Sequence, residues 1–280
     1  SPRQWIPDQP AAVPAVSRYE VGIHYADVFY HLYFFLGINY GHTSFAEKYH
    51  LESGQYTQAE LTSLCNELTD QLNTLSDSLG RDSDGLADMG KDLQDRARAA
   101  MFSLGATYPE LSGYYPQPKG LLFPAFLSVQ NLSGIYSPFT IEANYNSAMV
   151  SYNLPFTICH ELSHLRGFMQ EKEANFIGFL ACVNADDTAF NYSGYLLGWI
   201  YQPMKFKKRQ DPFEEIYNRL SDNVKADLSA NSSFWKRYDS KVAEVSGQIN
   251  DHYLKANGQS DGIKSYDRMV DLMITWFRSK

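Results

Sequence analysis

Cysteine is scarce in this chain: three in 280 residues, at Cys65, Cys159 and Cys182, with no spacing that suits a disulfide framework or a cysteine-ligated zinc. They are expected to be small buried hydrophobes. Long uncharged apolar runs are missing as well. Residues 21 to 38 come nearest, with Phe29, Tyr30, Leu32, Tyr33, Phe34, Phe35 and Leu36 near their end, but His24, Asp27 and His31 fall on one helical face. That pattern predicts an amphipathic helix with a polar stripe, not a lipid-facing span. Clustered basic charge is lacking too. Lys and Arg number 24 against 32 acidic residues, a net charge of -8, which excludes a nucleic-acid footprint. The one basic run, Lys205, Lys207, Lys208 and Arg209, reads as solvated surface. Internal repeats and low-complexity tracts are absent. No secretory leader is visible, so export cannot be read directly.

What remains is a folding composition, 44% hydrophobic and 15% aromatic, sufficient for a sizeable core. Residues 1 to 16 are proline-rich and expected to form an extended arm. Residues 17 to 280 are expected to form a single domain, mainly α with a small β-sheet (α+β). Its parts would be N-terminal helices over 17–110, a small sheet over 111–150, the helices carrying the motif described below over 151–200, and a C-terminal helical bundle over 201–280. Thr57-Gln58-Ala59-Glu60 is a capping box opening a helix to about Leu79, with Leu61, Leu64, Leu68, Leu72 and Leu75 as its core seam. A second helix is expected from about Gly85 to Leu104. Short apolar runs at 121–124 and 126–129, then 134–146, predict the only sheet. Beyond a buried helix over 174–183, three or so more are expected near 212–228, 232–257 and 263–278.

His160, Glu161 and His164 spell His-Glu-x-x-His. On a helix, residues four apart lie one above the other, so both imidazoles can reach one tetrahedral ion while Glu161 faces a water. Thr157, Ile158 and Leu162 make the rest of this helix apolar, which points the histidines into a core, where unpaired rings cost desolvation free energy. Gly167 can end the helix in a left-handed cap, and a new helix near Gln170 would bring an acidic cluster back over the rings. Glu171 is the expected third ligand of a single Zn2+, with Glu173 ranked second. A competing layout puts the third ligand at Gln170, a poor donor for zinc. Asn175, one turn beyond Glu171, is placed to hydrogen-bond a ligand histidine.

The chemistry this predicts is zinc-assisted peptide hydrolysis, with Glu161 taking the proton of the attacking water and returning it to the leaving amine. Tyr192 and Tyr195 are candidate oxyanion donors, and Arg166 a further one. Residues 140–146 are a candidate sheet edge for an extended peptide, with Glu142 and Asn144 as substrate-binding residues.

Pro138-Phe139-Thr140, Glu142-Ala143-Asn144, the stretch from Pro155 to His164, Gly167-Phe168, Glu171-Lys172-Glu173-Ala174-Asn175-Phe176 and Tyr192-Ser193-Gly194-Tyr195 together resemble a bacterial membrane-anchored family of unknown function, regarded as zinc peptidases of the gluzincin type. The similarity runs from Gly37-Ile38-Asn39-Tyr40 to Met269-Val270. It implies a zincin-like metallopeptidase domain with Glu171 in the ligand position and Asn175 where related families place aspartate. It also implies transmembrane helices ahead of the domain, the last ending near the Gly-x-Asn-Tyr loop, and hence a site outside the cytoplasm at the bacterial cell membrane. The polar face of His24, Asp27 and His31 departs from that pattern, so membrane association is expected through segments outside this chain. A peptide or protein is the expected substrate. The alternative from another class is a non-catalytic, zinc-stabilised envelope domain that binds a peptide or protein partner. Oligomeric state is not legible.

Overall fold

The computed structural model describes residues 43–51, 56–202, 211–256 and 268–279. The expected arm at 1–16, the aromatic stretch at 21–38, the 37–41 loop and the basic run at 205–209 lie outside the described residues.

Among the described residues the chain is mainly helical with one small sheet, as the pattern predicted. The first helix, α1 (Phe45–Lys48), is followed by α2 (Gln58–Ser78), which opens on the expected capping box: Glu60 N donates to Thr57 Oγ1 and Thr57 N to a Glu60 carboxylate oxygen. Each bond satisfies a backbone donor left over at the helix start. Leu61, Leu64, Leu68 and Leu72 are buried and Leu75 packs against the same core. Helix α3 (Leu93–Thr107) starts later than expected. The intervening residues form a loop because Asp82 Oδ1 accepts from Asp84 N and Leu86 N, Arg81 bridges to Ala87, and Gly85 and Gly90 are left-handed.

A 3-10 turn (Pro109–Leu111) leads to β1 (Lys119–Gly120), helix α4 (Ala125–Val129), β2 (Gly134–Ser137) and β3 (Glu142–Tyr145). The expected strand at 126–129 is therefore a helical turn, with Pro124 O accepting from Leu127 N and Ser128 N. Strand order is β1-β3-β2. β3 lies in the centre, parallel to β1 and antiparallel to β2, with Tyr136 opposite Ala143 and Gly134 opposite Tyr145.

Then come α5 (Asn153–His164), α6 (Glu171–Val183) and α7 (Thr188–Ile200). Helix α7 falls within the helical stretch expected over 151–200, although the sequence set no bounds for it. Asp187 caps it by accepting from Ala189 N and Phe190 N. The C-terminal part holds four described helices rather than three: α8 (Asp211–Asn218), α9 (Asp222–Lys236), α10 (Lys241–Ala256) and α11 (Met269–Arg278). Ser221 caps α9 and breaks what looked like one continuous segment.

Helix α5 is the centre of the packing. Pro155 to His164 are all buried, and α6, α3, α7 and the sheet pack around them. Gly178 lets α6 approach closely, since a Cβ there would stand 3.2 Å from His160 N. One hydrophobic cluster runs from Phe45 through these helices to Trp276, and all three cysteines are buried and free, as expected. No helix among the described residues is long and apolar enough to cross a membrane.

Candidate metal centre

His160 and His164 project from successive turns of α5, with their Nε2 atoms 3.2 Å apart. Glu171 Oε2, from the start of α6, lies 3.3 Å from His160 Nε2. A tetrahedral ion with bonds of about 2.0–2.1 Å to nitrogen and oxygen has ligand-to-ligand edges of about 3.3 Å. These two separations match two of the three edges that His160, His164 and Glu171 would form around one ion. The His164 ring is oriented from behind, because Nδ1 donates to Phe168 O at 2.8 Å, leaving the Nε2 lone pair on the side of His160. His160, Glu161 and His164 thus form a buried group able to hold a metal ion.

The bend that brings Glu171 here is the expected one. After His164 the chain turns through Leu165 and Arg166, Gly167 takes φ +85°, and Gly167 N donates to His164 O. A side chain would be strained at that φ. Gln170 becomes the residue before α6, its carbonyl accepting from Glu173 N and Ala174 N. Glu173 points away from the rings: its Oε1 accepts from Ala46 N at 3.0 Å and holds the start of α1. Asn175 is buried against His160 and favours its protonated form, although no hydrogen bond of normal geometry joins them, and His160 Nδ1 and Asn175 Nδ2 are both without one.

Burial sets the electrostatics. It raises the Glu161 carboxyl to about 8, with the His160 charge pulling it down and that of Glu171 pushing it up. Burial also lowers His164 to about 4, assisted by His160. For His160, burial alone would lower proton affinity, but the Glu171 side chain, the Glu161 charge and Asn175 carry it above its usual value. Glu161 Oε1 is 3.9 Å from His160 Nε2, and Glu161 Oε2 is buried with no hydrogen-bond partner. A buried carboxylate oxygen without a donor is costly unless a cation or water faces it. The donors therefore suit a cation.

The remaining expected site residues are placed elsewhere. Tyr192 does not face the histidines: its hydroxyl donates to Asp227 at 2.5 Å, within a buried network where Arg81 and Ala87 N also bind Asp227. Tyr195 packs edge-on against Phe179, with ring centroids 6.2 Å apart, and is influenced by Glu67. Neither phenol is positioned as the oxyanion donor expected of it. Glu142 is paired with Lys119 and accepts from Thr140 Oγ1, so its charge is taken and its pKa is lowered by the Lys119 bond above all. Asn144 spends its amide on the carbonyls of Ile135 and Glu142 within the sheet. Arg166 donates to Tyr114 O and stacks over Tyr115 at 4.4 Å. Within the expected substrate edge at 140–146, β3 pairs with β2 over Glu142–Tyr145 and with β1 at Asn144 and Tyr145, so at those last two residues both sides of the strand are taken.

The element lying over the site is β2. A Cβ on Gly134 would stand 2.8 Å from Glu161 Cγ and Cδ, so a larger residue there would have to displace the Glu161 side chain. Two residues on, the Tyr136 ring sits 5.9 Å from the His164 ring, tilted by 36°. Neither residue stood out in the sequence. The only signal was a strand of alternating residues just ahead of the motif, with glycine on the alternating set that also holds a tyrosine.

The family model described as "Protein of unknown function (DUF3810)" matches residues 17–274, and the chain belongs to this family. Neither curated proteins nor solved structures give a match.

Proposed function

We propose that this domain is a zinc-dependent peptidase of zincin-like type, with His160, His164 and Glu171 holding one Zn2+ and Glu161 acting as general base. The observation that carries the reading is the pair of ligand separations, 3.2 Å and 3.3 Å, beside a buried carboxylate with an unpartnered oxygen. Two imidazoles and one carboxylate, with a fourth position for water, are the donor set of a catalytic rather than a structural zinc. When bound, zinc supplies Lewis-acid polarisation and a water acidic enough to ionise near neutral pH.

The protein's own residues do the rest. Glu161 Oε2 has no competing donor, so it can take a proton from the attacking water. Its carboxylate lies 3.9 Å from His160 Nε2, beside the proposed ligands, where it can pass that proton on to the leaving amine. His164 is locked by Phe168 O in the tautomer that presents Nε2. Among the described residues β2 is an edge strand over the site, and an extended peptide can pair with its open side. Following the motif resemblance, we place this activity at the outer face of a bacterial membrane, with tethering by other segments.

The test is metal analysis of untagged protein, together with a peptide-library cleavage screen of native protein and Glu161→Gln. Near one zinc per chain in both, with cleavage by native protein alone, is the expected result. Zinc in both with cleavage by neither supports the non-catalytic zinc-stabilised domain instead. Absence of zinc near stoichiometry removes both readings.

A further inference from the structure

We infer that the Tyr136 hydroxyl is the hydrogen-bond donor to the scissile carbonyl oxygen, making Tyr136 a catalytic residue carried on strand β2. This rests on the peptidase reading above.

Side chains alternate across a strand, so Gly134 and Tyr136 share one face of β2 while Ile135 and Ser137 take the other. Two independent contacts show which face looks at the site: the missing side chain of Gly134 leaves the space that Glu161 fills, and the Tyr136 ring lies against His164. Tyr136 is thus beside a ligand histidine, on the element that also covers the general base.

Its hydroxyl is free for the task. Tyr136 is half-buried, yet among the described residues its hydroxyl makes no hydrogen bond. Of the oxyanion donors the sequence offered, the Tyr192 hydroxyl goes to Asp227, and Arg166 reaches Tyr114 O and the Tyr115 face. A peptide paired along the free side of β2 would run its backbone past this phenol. When water adds to the carbonyl carbon, the carbon–oxygen π pair moves onto oxygen and the water proton goes to Glu161. The phenol, which keeps its own proton, then donates to the oxygen that has gained charge. A donor that strengthens as charge develops lowers the barrier without tightening the ground state.

The experiment compares zinc-loaded native protein, Tyr136→Phe and Tyr136→His on a peptide found in the cleavage screen. Removing a hydroxyl that bonds nothing in the free protein should leave folding intact, which melting temperature and zinc content verify. The expected result is a kcat lower by about 10²–10³-fold in Tyr136→Phe with KM changed less than about threefold. Tyr136→His, which keeps a donor, should recover at least part of that loss. A second readout is affinity for a phosphinic peptide, whose tetrahedral oxygens mimic the charged carbonyl. It should weaken at least about tenfold in Tyr136→Phe, while a cleaved product peptide binds as before.

Cleavage by native protein with an unchanged kcat in Tyr136→Phe overturns this role and leaves the peptidase reading standing. A change confined to KM overturns it as well. Absence of cleavage by native protein overturns the peptidase reading itself, and this role with it.

Discussion

Gly134 and Glu161 occupy one space between strand β2 and helix α5: where any other residue would carry a Cβ, Glu161 has its Cγ and Cδ, 2.8 Å from that point. The proposed general base is therefore positioned by an absent side chain on another element. Gly134→Ala should push the carboxylate aside by a fraction of an ångström to an ångström. A misplacement of that size costs on the order of 100-fold in rate. Zinc content should be unchanged, since Glu161 is not among the proposed ligands. Steady-state kinetics with metal analysis decides it, and full activity in the alanine variant would contradict the positioning.

The two glutamates of α6 should separate cleanly. Glu171 faces His160 while Glu173 holds Ala46 N. Glu171→Ala should lose most of its zinc affinity in a competition titration. Glu173→Ala should keep zinc but lose about 1–3 kcal/mol of stability, because a buried backbone donor is left without an acceptor. The reverse pattern would mean that the other carboxylate is the ligand.

Tyr192 should matter for stability and not for turnover. Its buried hydroxyl donates to Asp227, which Arg81 also pairs. Tyr192→Phe should cost about 1–3 kcal/mol in urea unfolding, since a bond to a buried charge is lost. Turnover should stay within about twofold of native. A large fall in kcat with unchanged stability would return Tyr192 to the site.

The metal-free protein should become less stable as pH rises from about 6.5 to 8. Burial raises Glu161 from 4.5 to about 8, so its contribution is complete below 4.5 and is lost as pH climbs through 8. His160, also raised, acts in the same direction. His164, lowered from 6.5 to about 4, acts oppositely, but its contribution is lost only as pH falls below 6.5. Thermal unfolding from pH 6.5 to 8.5 should therefore slope downward, less steeply in Glu161→Gln. Zinc should flatten the slope by holding its ligands deprotonated. An equal or steeper slope in the variant would exclude Glu161 as its source.

Much of the fold could be read from short stretches of chain. The Thr57–Glu60 box, the leucine seam of α2, the helix bearing His160 and His164, the Gly167 bend and the return of Glu171 all depend on residues within a few turns of one another. Misreadings came where an equally local signal was overruled or missed. The 85–92 segment is helical in composition, but Asp82 binds the backbone ahead of it and two left-handed glycines keep it a loop. At 126–129 an apolar run looked like a strand until Pro124 opened a helical turn.

Sequence alone determined that two imidazoles and an acidic side chain meet on one side of a buried helix, because helical spacing and a glycine bend are properties of the local backbone. Tertiary structure alone decided what surrounds them. Tyr192 goes to Asp227, Glu142 to Lys119, Gly134 makes room for Glu161, and Tyr136 settles on His164. Each of these pairings joins residues on different secondary elements, and is set by how the elements pack, which a short window of chain does not contain.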